Sequence, residues 1–237
     1  MDDETAPRLR PVPDAPTDED VELAPADRRL AHVGIRLTLA VVAVQTVLHL
    51  LNLALSTSIR SLDVNGEQTL FSWLSSVVIA TAALACLLLA VVQRGRNVSL
   101  LALGGMLAFL SLDEAVLIHE RLVIRLTEAL EIRAEWNSVI WPVLYLPLLA
   151  SVLALLVLEA RRGARSTSVL VFVGLGCLAA AVGAEIVSAP YSLDDYGIAH
   201  SLEGAIEEGL EVAGWGLIAT AMLSRFALAI ERPLSPT

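Results

Sequence analysis

Six long apolar runs constrain the fold of this chain more than any other feature of its sequence. Each run is roughly 20 residues long, which is the length of helix that crosses the hydrocarbon core of a membrane. We predict spans at 33–55, 69–93, 98–118, 138–160, 167–189 and 205–228. A helix satisfies its own backbone hydrogen bonds, as a segment in hydrocarbon must. The sequence therefore predicts an all-α, polytopic membrane bundle of about six transmembrane helices.

Polar segments flank this predicted bundle, which occupies residues 30–230. Residues 1–29 carry nine acidic residues, four arginines and five of the ten prolines, a composition typical of a disordered tail. Residues 231–237 form a short C-terminal tail. Between the third and fourth spans, Leu122, Leu126 and Leu130 recur every four residues. This spacing predicts an amphipathic helical extension, continuing beyond the membrane or lying on its surface.

The placement of arginine predicts the orientation of the chain. When six spans alternate in direction, twelve of the 16 arginines fall on the side of both termini and four on the other. Positive residues concentrate on the cytoplasmic side of membrane proteins. We therefore predict a multi-pass protein of the cell membrane with cytoplasmic N and C termini.

Composition excludes several classes of function. Lysine is absent, which excludes a lysine Schiff base. There is no basic patch, so we expect no nucleic-acid partner. The two cysteines lie inside apolar runs, and they predict neither a disulfide framework nor a cysteine metal site. The expected partners are membrane lipids and an amphiphilic substrate.

Ionisable residues gather at one predicted depth. The third span ends in SLDEAVLIHER, the sixth opens with HSLEGAIEEGLE, and the first and fifth spans carry one histidine and one glutamate late in their lengths. The candidates are Asp113, Glu114, His119, Glu207, Glu208, Glu211, His49 and Glu185. Because odd spans run outward and even spans run inward, we expect all of them in the outer half of the bilayer.

Helical geometry limits how these groups meet. On a regular helix Asp113 and Glu120 share one face whereas His119 points elsewhere, so joining them in one site requires a distortion of the helix. The first span carries a polar stripe of its own on one face. Its members are Thr38, Gln45, His49, Asn52 and Ser56.

The energetic cost of burying acids in a membrane limits the environments that these residues can occupy. A charged acid at the bilayer centre costs about 3 kcal/mol on insertion scales, and Arg121 is the one countercharge nearby in sequence. The acids must therefore be close to water, protonated or bound to a cation. An intramembrane group of ionisable residues indicates function.

A divalent metal site is the first hypothesis. Carboxylates with one or two imidazoles suit Zn, Fe or Mn. The predicted ligands are Asp113, Glu207, Glu211 and Glu185, with His49 or His119 as the nitrogen donor. Glu208 or Glu114 would act as general base toward a metal-bound water. The predicted activity is metal-dependent hydrolysis or modification of a lipid-like substrate from the outer leaflet.

Two alternatives belong to other classes. A proton- or cation-coupled transporter also uses buried acids, although the inner halves of the spans are nearly devoid of ionisable groups. A structural or assembly protein would use the acids as a docking patch. A continuous polar file favours transport, a pocket closed at one end favours an enzyme, and outward-pointing acids favour docking.

Overall fold

The computed structural model describes residues 25–56, 59–63, 69–93, 97–132, 137–188 and 198–231. All regular structure in these ranges is helical. The helices are α1 (Pro25–Ala54), α2 (Leu70–Val92), α3 (Val98–Val116), α4 (Ile118–Ala129), α5 (Asn137–Arg162), α6 (Arg165–Ser188) and α7 (Ile198–Glu231), with a short 3-10 turn at Arg60–Leu62. Residues 1–24 of the predicted N-terminal tail and residues 232–237 of the predicted C-terminal tail lie outside the described residues.

Six of these helices are long and apolar enough to cross a membrane, and α4 is the exception. The all-α prediction and the expected six helices of span length and apolarity are therefore confirmed, and the architecture is consistent with an integral membrane protein. The predicted amphipathic segment contains α4, which is half as long as a span. Its position against a bilayer and the orientation of the termini stay predictions.

Five helices form a closed ring. α2 packs on α3, α3 on α5, α5 on α6, α6 on α7, and α7 packs back on α2. α1 lies outside the ring against α7, and α4 packs on α5. With 34 residues, α7 is the longest of the described helices, and it joins α1 to the ring.

Glycine contacts bring α7 close to its neighbours. A Cβ added at Gly214 would lie 2.8 Å from the carbonyl oxygen of Gly174 on α6, and one added at Gly174 would lie 2.7 Å from that of Gly214. On another face, a Cβ at Gly216 would lie 2.7 Å from the side chain of Thr38 on α1. Small residues let membrane helices approach closely, where dispersion contacts hold them together.

An apolar core fills much of the ring. Its fully buried members include Leu89 of α2, Leu103 and Leu107 of α3, Leu156 of α5 and Met222 of α7. Most of these lie in the half of the bundle where α2 and α5 end and α3 and α6 begin. The other half, where α3 and α6 end and α7 begins, is called the acid end below.

A buried ion-pair network lies at the end of the bundle opposite the acid end. Glu159 of α5 is completely buried. Its Oε1 accepts from Ser99 Oγ at 2.6 Å and from Arg162 Nη1 at 2.9 Å, and its Oε2 accepts from Arg225 Nη1 at 2.8 Å. The expectation of spans nearly free of ionisable groups in this half overlooked Glu159 and Arg225. Both are inside spans, and they neutralise each other.

Candidate intramembrane acid and histidine site

A left-handed residue separates α3 from α4. Leu117 has φ 56° and ψ 48°, a conformation that costs a non-glycine residue about 1–2 kcal/mol. The Leu117 side chain is buried, and its N–H donates to the carbonyl oxygen of Asp113 at 2.7 Å. This break supplies the distortion that His119 and Asp113 required, because it turns α4 back toward the end of α3.

Asp113 and His119 form a tightly bonded dyad. Asp113 is only 4% exposed, and its Oδ1 accepts the backbone N–H of His119 at 2.8 Å. Its Oδ2 lies 2.7 Å from His119 Nδ1, which must donate because an ionised carboxylate only accepts. Tyr145 of α5 donates its hydroxyl to Oδ1 at 3.0 Å. His119 Nε2 has no hydrogen-bond partner among the described residues.

The electrostatic environment of His119 favours its protonated form. Burial lowers its pKa, but the hydrogen bond and negative charge of Asp113 outweigh burial, and Glu120 and Glu114 add to the effect. The net result is a His119 pKa above its ordinary value of 6.5. His119 therefore holds its proton more tightly than a free histidine does.

Five glutamates share the interior of the ring at the acid end, and they are called the glutamate cluster below. They are Glu114 of α3, Glu185 of α6, and Glu207, Glu208 and Glu211 of α7. The charge of Glu211 interacts with those of the other four, and the charge of Glu208 interacts with that of Glu114. α3 and α7 are not neighbours in the ring, so the cluster extends across its interior.

Negative charge is in excess within this cluster. Glu208 Oε2 is buried and has no hydrogen-bond partner among the described residues. Glu185 accepts from Trp141 Nε1 at 2.8 and 3.0 Å. Arg121, the expected countercharge, is exposed, and in the described part of the chain no arginine pairs with the four other glutamates. Burying unpaired carboxylates is unfavourable, so the cluster requires neutralisation.

The glutamate side chains surround the site without converging on one point. In the described ranges, no three histidine, cysteine, aspartate or glutamate side chains are grouped closely enough to hold a metal ion. Both Asp113 oxygens already accept hydrogen bonds. A metal ion would therefore have to draw in the flexible glutamates, with His119 Nε2 as the available nitrogen.

His49 has contacts elsewhere. Its Nε2 lies 3.0 Å from the carbonyl oxygen of Ser201 at the start of α7, and its ring meets the edge of Phe71 at 6.2 Å between centroids. These contacts join α1 to α7 and α2. Among the described residues no contact links His49 to the glutamate cluster, so seven of the eight predicted site residues lie at the acid end near one another and His49 lies apart.

Two aromatic residues complete the site, and neither is among the residues predicted from sequence. Tyr145 binds Asp113, and Trp141 binds Glu185. Their rings lie 5.9 and 5.4 Å from that of His119. Both are one turn apart near the start of α5, a placement that an aromatic belt at the membrane interface would also produce. The sequence alone therefore did not distinguish these two site residues from residues of an aromatic belt.

Residues 34–226 match the family model described as "Domain of unknown function (DUF8692)". The chain belongs to this family. The DUF8692 domain extends over all seven helices in part or whole and contains the dyad, the glutamate cluster and the Glu159 network. No curated protein and no solved structure shows a significant match to the chain.

Proposed function

We propose that the glutamate cluster binds a divalent metal ion, and that this protein is a membrane-embedded enzyme that uses the ion to hydrolyse or modify a lipid-like substrate. One observation carries the proposal: among the described residues no arginine pairs with Glu114, Glu207, Glu208 or Glu211, and Oε2 of Glu208 is buried without a hydrogen-bond partner. A bound cation would supply the missing neutralisation.

The donors in this proposal have distinct roles. Glu207, Glu211 and Glu185 supply oxygen ligands, and His119 Nε2 supplies nitrogen, a set suited to Zn, Fe or Mn. Asp113 orients the imidazole through Nδ1, as carboxylates commonly do for metal-bound histidines. Glu208 or Glu114 would act as a general base, and the bound ion would supply the activation of a water molecule.

The shape of the ring favours an enzyme over the other classes. The apolar core and the Glu159 network fill the ring away from the acid end, which supports a site open at one end rather than a path across. The glutamates interact with one another across the interior, which argues against a docking patch. With the acid end outward, the substrate would be an amphiphile from the outer leaflet.

Thermal unfolding in detergent tests ion binding. After chelation, we expect Zn, Mn or Fe to stabilise the wild type by about 2.7 kcal/mol at a hundredfold excess over Kd. Glu207→Ala/Glu211→Ala should lose this effect, whereas Glu231→Ala, at the far end of the same helix, should keep it. An equal response in all three proteins, or none in the wild type, would contradict the proposal.

Proton-coupled transport is a second candidate, and the unpartnered Oε2 of Glu208 favours it. A protonated carboxyl neutralises this buried position without a metal. Reconstituted vesicles with a pH gradient provide the test. Proton flux in the wild type that Glu208→Gln abolishes, without any response to metal ions, would support transport over the metal-dependent enzyme.

A further inference from the structure

A groove opens between α1 and α2 on the outside of the ring. α1 and α2 both pack on α7, and the space between them has a volume of about 290 Å³. Its walls include Val41, Val44, Gln45 and Leu48 of α1 and Leu70 and Leu74 of α2. Gln45 is the polar member of an otherwise aliphatic lining, and every lining residue is inside a candidate membrane span.

One unpartnered polar atom belongs to a residue of the groove lining, and a second lies one helical turn away. Gln45 Oε1 and His49 Nδ1 have no hydrogen-bond partner among the described residues, although the side chains are 2% and 1% exposed. They lie one turn apart on the same face of α1. Because His49 Nε2 faces the carbonyl of Ser201, it must donate, and Nδ1 of the neutral ring is left as an acceptor.

Two further unpartnered groups lie on the same two helices, outside the groove lining. Asn52 Nδ2 follows on the polar face of α1, and Ser75 Oγ lies on α2 next to Leu74 of the groove lining. Both residues are buried. An unpaired buried polar group is unfavourable, so the unpartnered Gln45 Oε1 in the lining indicates that an occupant of the groove satisfies it.

We propose that this groove binds a single-chain amphiphile whose head group is an uncharged alcohol. The aliphatic walls take the alkyl chain. A hydroxyl group donates to the unpartnered Oε1 of Gln45, the polar residue of the lining. The site lies beyond the metal-dependent function proposed above and does not depend on it.

Charge excludes the common alternatives for the head group. A fatty acid or phosphate is an acceptor when ionised and leaves the Oε1 acceptor of Gln45 unsatisfied. An ammonium group finds no carboxylate in the groove lining, and burying it unpaired is unfavourable. A neutral hydroxyl carries neither penalty.

Photolabelling of the purified protein in lipid nanodiscs tests the proposal. The probe is hexadecanol with a diazirine on its chain, and mass spectrometry maps the adducts. We expect adducts concentrated in α1 and the start of α2 that unlabelled hexadecanol displaces. A diazirine alkane without the hydroxyl should label these segments about tenfold less, the ratio for loss of one good hydrogen bond.

A pair of tryptophan variants tests where the probe binds, and a third variant tests the hydrogen bond to its hydroxyl group. Val44→Trp fills the groove and should reduce adducts about tenfold, whereas Val47→Trp, exposed on the same helix but outside the lining, should leave them unchanged. Gln45→Leu should lower hexadecanol labelling to the level of the alkane and leave the unfolding midpoint unchanged or raised. Adducts spread evenly over all lipid-facing helices, equal labelling by alkane and alcohol, or equal effects of the two tryptophans would overturn the proposal.

Discussion

Asp113 accepts three hydrogen bonds, two from His119 and one from Tyr145. Its carboxylate therefore ties the end of α3 to the start of α4 and to α5. These bonds offset the left-handed conformation of Leu117 and hold the imidazole with Nδ1 toward α3. His119 Nε2 is left available for a ligand.

The pKa of His119 should depend on the charge of Asp113. Asp113→Asn keeps the shape of the side chain but removes the charged carboxylate that raises the pKa of His119, so this pKa should fall. NMR titration of the chelated protein measures this. Tyr145→Phe should leave the pKa raised, and a His119 pKa unchanged by Asp113→Asn would refute the dyad.

Glu159 and Glu208 should respond oppositely to the same substitution. Glu159→Gln leaves Arg225 buried without its charge partner, and breaking such a pair costs about 3–5 kcal/mol. Glu208→Gln removes a charge that no arginine balances, so the metal-free protein should be unchanged or more stable. Denaturant unfolding in detergent compares them, and equal destabilisation would contradict the assigned roles.

At the residue scale, two features of the structure could not be predicted from the sequence: the helix break and the burial of Glu159. The dyad required a helix break, yet SLDEAVLIHER contains no glycine or proline to mark one. The break depends on acceptors that Asp113 provides in three dimensions. Glu159 likewise resembled a solvated helix end, because Arg161 and Arg162 follow it in the sequence.

At the scale of helices, length and polarity were sufficient to predict the six spans within a few residues at most ends. The order of the ring was not predictable in the same way, because apolar faces that pack on apolar faces leave no periodic signal. Close contacts such as Gly174 with Gly214 depend on which helices are neighbours, and that is a property of the fold.

The contact between α6 and α7 should be sensitive to one added methyl group. Gly214→Ala forces the two backbones apart and should cost about 1–3 kcal/mol of unfolding free energy. Gly176→Ala is the matched control, since a Cβ there has no neighbour within 4 Å. Thermal unfolding in detergent measures both, and a neutral Gly214→Ala would disprove the close packing.

At the scale of the whole molecule, alternation of the spans brings four distant stretches of sequence to one end. That prediction needed only the direction of each helix. The structure places the members of the glutamate cluster within reach of one another's charges, whereas the side of the membrane that they face rests on arginine placement alone.

Cysteine labelling in intact cells tests this orientation. In a background without Cys86 and Cys177, Arg60→Cys at the acid end should react with an impermeant maleimide added outside. Arg161→Cys, at the opposite end, should react only after permeabilisation. Both positions are exposed, so the reversed pattern would mean that the acid end faces the cytoplasm.

Elemental analysis of the purified protein tests the central claim most directly. We expect one divalent metal ion per chain in the wild type, or after reconstitution with Zn, Mn or Fe, and its loss from Glu207→Ala/Glu211→Ala but not from Glu231→Ala. Absence of metal from the wild type under all of these conditions, or equal metal in all three proteins, would contradict a metal site in the glutamate cluster.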